Sequence, residues 1–140
     1  MAEQRNLEMF RIVVEEGFNK GNLDALDNLF AHDYQEHQFG LHPTLDGFKQ
    51  DIQFLRTAFP DFHLAIEDMV ANEDDVWARM TATGTNRGSF MGPPTGKTIK
   101  VAVFDVLRFK NGKISDHWGV PDRFAVMQQL GLIPRPQNAA

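Results

Sequence analysis

Apolar residues are spaced by three and four in the first part of the chain and by two in the second. The change falls near Pro60. Leu7, Phe10, Val14 and Phe18 form one stripe of an amphipathic helix, and Gly21 suits its C-terminal stop. Asn22 can cap a second, short helix whose stripe is Leu23, Leu26, Leu29 and Phe30. Residues 31–43 break the periodicity and are polar: His32, Asp33, Tyr34, Gln35, Glu36, His37 and His42 stand among them. A third helix carries Phe48, Ile52, Leu55 and Phe59 and ends at Pro60.

Alternation then takes over. Phe62, Leu64 and Ile66 alternate with His63, Ala65 and Glu67, and residues 72–75 form an acidic turn. Val76, Ala78, Met80 and Ala82 alternate with Trp77, Arg79, Thr81 and Thr83. A loop rich in Gly and Pro, residues 86–96, precedes a third strand over 98–109. It is either the mouth of a pocket or a long hairpin connection. Asn111-Gly112 is a strong hairpin signal, and a fourth strand follows over 113–120. A closing helix holds Phe124, Met127 and Leu130 and stops at Gly131. Helices gathered ahead of an antiparallel meander make an α+β domain, taken here as residues 1–134, with 135–140 as a C-terminal tail.

Composition narrows the function. Nineteen acidic and 14 basic side chains leave a net charge of −5, which argues against binding nucleic acid or an anionic membrane. No apolar run approaches the roughly 18 residues of a spanning helix, and the first residues lack a signal-like apolar stretch, so a soluble, cytoplasmic protein is expected. Cysteine is absent, which removes disulfides, thiolate nucleophiles and Cys-bound metals. Twelve Phe against two Trp and one Tyr suit an apolar interior or pocket for a hydrophobic small molecule.

Three motifs point away from common chemistries. Gly92-Pro93-Pro94-Thr95-Gly96-Lys97-Thr98 resembles a phosphate loop, but has three residues between its glycines rather than four and leads into a strand. His32, Asp33, His37 and His42 match no zinc-site spacing, so no metal is expected. Serine is scarce and no Gly-x-Ser-x-Gly elbow occurs.

The fourth strand is richer. Pairing through the Asn111-Gly112 turn predicts Trp118 across from Asp105 and His117 across from Val106. Trp118, Val120 and Asp122 then share a face with Val101, Val103 and Asp105. A carboxylate there would be desolvated and suited to act as a base. Asp122 also precedes a helix, where Asp is a preferred cap, and the two roles are compatible.

Four elements in order resemble one family. They are Phe59-Pro60-Asp61; Arg79-Met80-Thr81-Ala82-Thr83-Gly84-Thr85 with Gly88-Ser89-Phe90-Met91-Gly92-Pro93-Pro94; Phe104-Asp105-Val106-Leu107-Arg108-Phe109 with Asn111-Gly112-Lys113-Ile114; and His117-Trp118 with Asp122 and Gln128-Gln129-Leu130-Gly131. Together they look like the SnoaL-like polyketide cyclase (ester cyclase) family. The resemblance implies the α+β cone fold shared with nuclear transport factor and ketosteroid isomerase: three N-terminal helices on a curved antiparallel sheet of about four or more strands, with a short C-terminal helix. It implies intramolecular aldol ring closure of a polyketide-like β-keto ester, without metal or cofactor, and a homodimer through the outer sheet faces.

Asp122 best matches the family's acid/base Asp, with His37 and His117 assisting. Some relatives carry Asp directly after the His-Trp pair, where this chain has Gly119. Trp118, Asp105, Tyr34, Phe54, Phe59 and Val103 are the expected substrate-binding residues. An isomerase, dehydratase or hydratase of another apolar carbonyl compound remains open, as does a non-catalytic binding module in which Asp122 only caps.

Overall fold

The protein is described by a computed structural model covering residues 1–134; the expected tail lies outside the described residues. The first stripe forms α1 (Ala2–Ile12), which continues as a π-helical segment over Val13–Asn19. Met9, Phe10, Val13 and Val14 of this pair face the core. The second expected helix is one 3-10 turn, Leu23–Leu26, with Leu26 fully buried. Thr44 caps α2 (Leu45–Ala58), its hydroxyl accepting the Gly47 N–H at 3.1 Å.

Residues 30–36 are a strand, β1, rather than the expected irregular segment. Only Phe30 and Tyr34 in it are buried, and its pairing shifts between Phe30 and Gln35. A two-residue apolar period therefore never shows. The other strands are β2 (His63–Asn72), β3 (Asp75–Thr85), β4 (Thr98–Lys110) and β5 (Lys113–Pro121), and a short helix, α3 (Arg123–Gln129), follows. The order β1-β5-β4-β3-β2 gives a curved, mixed five-stranded sheet in which β1 runs parallel to β5 and the remaining pairs are antiparallel.

Two bulges shape the sheet. One lies between Ile66 and Asp68 in β2, and the other between Arg108 and Phe109 opposite β5. A bulge bends its strand and shifts alternation by one residue. The β4–β5 turn forms at Asn111 (φ 54°) and Gly112 (φ 77°), the left-handed pair a tight primed hairpin requires. The inner face carries Val76, Ala78, Met80, Val101, Leu107 and Ile114 against α1 and α2.

The 86–96 loop is a pinned connection between β3 and β4. Fully buried Asn86 accepts the Thr95 N–H at 2.8 Å and donates to the Gly88 carbonyl at 2.8 Å. Phe90 in this loop rests edge-on against Phe59, ring centroids 5.3 Å apart. The Gly-rich segment of this loop leads into β4 and not into a helix. Among the described residues no helix is long and apolar enough to cross a membrane.

Candidate active site

The β5 bulge decides which side chains meet. Phe109 pairs with Ile114, but Arg108 pairs with Asp116, so Ser115 is the extra residue. Every later position slips by one: Val106 faces Trp118, Leu107 faces His117, and Asp105 faces Gly119. A slip of one residue exchanges the faces of a strand. The expected Asp105–Trp118 pairing is thereby corrected. His117, not Trp118, joins Asp105 on the inner face, and Trp118 and Val120 lie on the outer face.

His117 stands between two carboxylates. Its Nδ1 is 2.6 Å from Glu36 Oε2 and its Nε2 is 3.0 Å from Asp105 Oδ2. Parallel pairing of β1 with β5 sets Glu36 beside His117, and the His37 N–H donates to the His117 carbonyl at 2.8 Å. Exposure of the three side chains is 5% for His117, 1% for Glu36 and 13% for Asp105, so Asp105 is the least buried of the three. Burial alone pushes the imidazole pKa down. Hydrogen bonds and charges from Asp105 and Glu36 outweigh it and raise His117 to about 10. His117 is therefore an imidazolium at neutral pH, donating through both nitrogens.

Each carboxylate keeps one oxygen, Asp105 Oδ1 and Glu36 Oε1, buried and without a protein partner. Such an atom costs free energy unless something occupies it. Tyr34 lies two residues before Glu36 with its hydroxyl 3.4 Å from the Thr44 carbonyl, and Phe48 packs 5.8 Å from the His117 ring. Burial, with the nearby Glu36 charge, raises the Tyr34 phenol and keeps it neutral.

The other expected site residues lie elsewhere. Asp122 is exposed and caps α3, its Oδ1 accepting the Ala125 N–H at 3.0 Å; the same one-residue slip puts it off the inner face, since its neighbour Pro121 pairs with Val103. His37 bonds Asp116 at 2.9 Å and stacks on Trp118 at 4.5 Å, with Arg108 5.0 Å from the Trp118 ring. His42 pairs with Asp51 at 2.7 Å. Phe54 is 55% exposed on α2, and Phe59 is sealed in the core against Gly84 and Phe90. Val103 is half-buried two residues from Asp105 on the same face. Sequence reasoning passed over Glu36. Its signal was the Tyr34-x-Glu36 spacing, which becomes meaningful once residues 30–36 are a strand.

Outside the bowl, a groove of about 850 Å³ runs over the sheet between Met69, Trp77, Phe104, Val106, Trp118 and Val120. Its surface is mostly apolar, with Asp68, Asp75, Arg79, Asp105 and Arg108 also in the lining, and Trp77, Phe104 and Val120 are more than half exposed.

A curved sheet with helices packed on its inner face, and an imidazolium held there between two carboxylates, defines an α+β cone-fold protein. Residues 8–130 match the SnoaL-like polyketide cyclase family, and the chain belongs to it. It is similar to the nogalonic acid methyl ester cyclase of Streptomyces nogalater, with 28% identity over 81% of this chain and 89% of that protein. It also resembles the aklanonic acid methyl ester cyclase DauD of Streptomyces sp. (strain C5), with 28% identity over 89% of this chain and 81% of the relative. Among solved structures, IdmH from Streptomyces antibioticus aligns with a TM-score of 0.78 and 32% identity over 89% of this chain and 96% of IdmH. TsrD from Streptomyces laurentii shares the fold, with a TM-score of 0.84 at 23% identity over 93% and 97% of the two chains.

Proposed function

We propose that this protein is a cofactor-independent cyclase that closes a ring in a hydrophobic, polyketide-like β-keto ester by intramolecular aldol condensation, with Asp105 as the acid/base. The observation that carries this reading is the buried, unpartnered Oδ1 of Asp105, beside an Oδ2 engaged by the His117 imidazolium. Asp105 takes a C–H proton flanked by two carbonyls. The enolate carbon attacks a ketone carbon of the same molecule and forms the new C–C bond. The resulting alkoxide takes the proton back from the Asp105 carboxylic acid. No proton or electron is gained or lost overall.

His117 keeps its proton throughout and fixes the Asp105 carboxylate in one orientation, while Glu36 holds His117 from the far side. Orientation of a flexible chain for ring closure supplies a further part of the acceleration. Asp122, as an exposed cap, is left without a chemical step. The test is turnover of nogalonic acid methyl ester by wild type and Asp105→Asn, followed by chromatography of the cyclised product. Retained turnover in the variant overturns the role of Asp105.

We further infer a homodimer through the outer face, because Trp77, Phe104 and Val120 form a contiguous apolar surface there.

A further inference from the structure

We propose that Gln38 is a second catalytic residue, whose carboxamide donates a hydrogen bond to the substrate oxygen while Asp105 handles the proton. This rests on the reading of Asp105 above. Gly119 carries the argument. A Cβ placed on Gly119 would lie 2.0 Å from Gln38 Oε1, 3.0 Å from Gln38 Cδ and 2.8 Å from Asp105 Oδ1. The Gln38 amide and the free oxygen of Asp105 therefore converge on one small space over the backbone of β5, and that space exists because residue 119 has no side chain.

The loop that presents Gln38 is tied down. The Gln38 N–H donates to Glu36 Oε2 at 3.0 Å, the Leu41 N–H donates to the Gln38 carbonyl at 3.3 Å, and Arg123 donates to the Phe39 carbonyl at 2.8 Å. Glu36 thus holds both His117 and the base of the Gln38 side chain.

A carboxamide has a donor end and an acceptor end, exchanged by a half-turn about its last bond. Two acceptor oxygens facing each other repel. With the NH2 end turned inward, Gln38 presents its N–H groups toward the unpartnered Asp105 Oδ1. When a β-keto ester enters, the same N–H meets the oxygen of the carbonyl whose neighbouring carbon loses its proton. Negative charge develops on that oxygen, and a fixed neutral donor there stabilises the enolate more than the ketone. His117 cannot do this, since both its nitrogens are already engaged.

The experiment is an NMR titration of the Asp105 carboxyl carbon in wild type, Gln38→Leu and Gln38→Glu, with Asp105→Asn to assign the signal. It requires no substrate. The titratable neighbours, His117 on β5 and Glu36 and Tyr34 on β1, are unchanged in every Gln38 variant. A donor to the carboxylate favours its charged form, so Gln38→Leu moves the Asp105 signal's midpoint upward. Gln38→Glu, which adds a like charge, raises it further. A midpoint unmoved in both overturns the pairing.

Turnover of nogalonic acid methyl ester gives the second readout: Gln38→Leu lowers kcat roughly 10²–10³-fold and KM changes little. Full kcat in Gln38→Leu, with Asp105→Asn inactive, overturns the donor role and leaves Asp105 standing. Turnover retained by Asp105→Asn instead overturns Asp105 as the base. Thermal midpoints of the Gln38 variants equal to wild type show that the effect is not loss of fold.

Discussion

The two faces of the sheet are written in alternate residues of the same strands, yet they treat charge in opposite ways. On the inner face, Glu36, His117 and Asp105 form a buried row in which each charge is held by a partner within 3.0 Å. On the outer face, Arg79 with Asp68 and Arg108 with Asp75 form pairs open to water. A solvated pair contributes little because water screens it and side-chain entropy opposes it. A buried row must be complete, since removing one member strands the others in low dielectric. The inner face can therefore hold reactive groups in fixed protonation states, whereas the outer face is suited to packing against another surface.

The largest expected effect is on turnover. Asp105→Asn keeps shape and volume but cannot take a proton, and should lower kcat by roughly 10²–10⁴-fold. Asp68→Asn on the outer face should leave kcat within a factor of two. Equal losses in both would break the contrast between the faces and point to a general loss of structure.

Stability against pH is next. His117 has a folded midpoint of about 10 against an ordinary 6.5, so the folded state keeps a proton that the unfolded chain releases. Its stabilisation is complete below about 6.5 and is lost as pH rises through about 10. Between those limits it should contribute a slope of at most about 1.4 kcal/mol per pH unit. Urea unfolding of wild type and His117→Gln from pH 6 to 10 reads this directly. Curves that run parallel would mean that His117 is neutral in the folded protein.

The third effect concerns assembly. Phe104→Glu places a charge in the outer apolar groove, and sedimentation should then show a monomer where wild type is a dimer. A monomeric wild type would remove the dimer from the account and leave the inner face untouched.

The same contrast explains what could be read in advance. Strands β2 to β5, α2 and α3 follow from alternation, helical spacing and the Asn111-Gly112 turn, because one face of each is buried and the other wet. Asp105 and His117 were both identifiable as chemistry-bearing residues. Their partnership was not, since Ser115 is an ordinary residue and nothing in its local pattern announces a bulge. That one extra residue moved Trp118 outward and His117 inward. Strand β1 was hidden for a related reason: it runs parallel at the sheet edge with only Phe30 and Tyr34 buried, so Glu36 looked like a member of a polar loop.

The smallest effect separates the two carboxylates on which the chemistry could have rested. Asp122 accepts the Ala125 N–H in the first turn of α3 and is exposed. Asn caps a helix about as well as Asp, so Asp122→Asn should cost no more than a few tenths of a kcal/mol, while Asp122→Ala should cost about 1 kcal/mol. Neither should change kcat more than about twofold if the barrier is crossed at Asp105, since twofold corresponds to only about 0.4 kcal/mol. Urea midpoints and steady-state rates on one preparation of each variant test both statements. The informative result is the ratio between the variants. A cap predicts that Ala is worse than Asn in stability with equal rates, whereas a base predicts that both lose turnover regardless of stability. The second outcome would return the chemistry to the end of β5 and make the buried row around His117 a purely structural device.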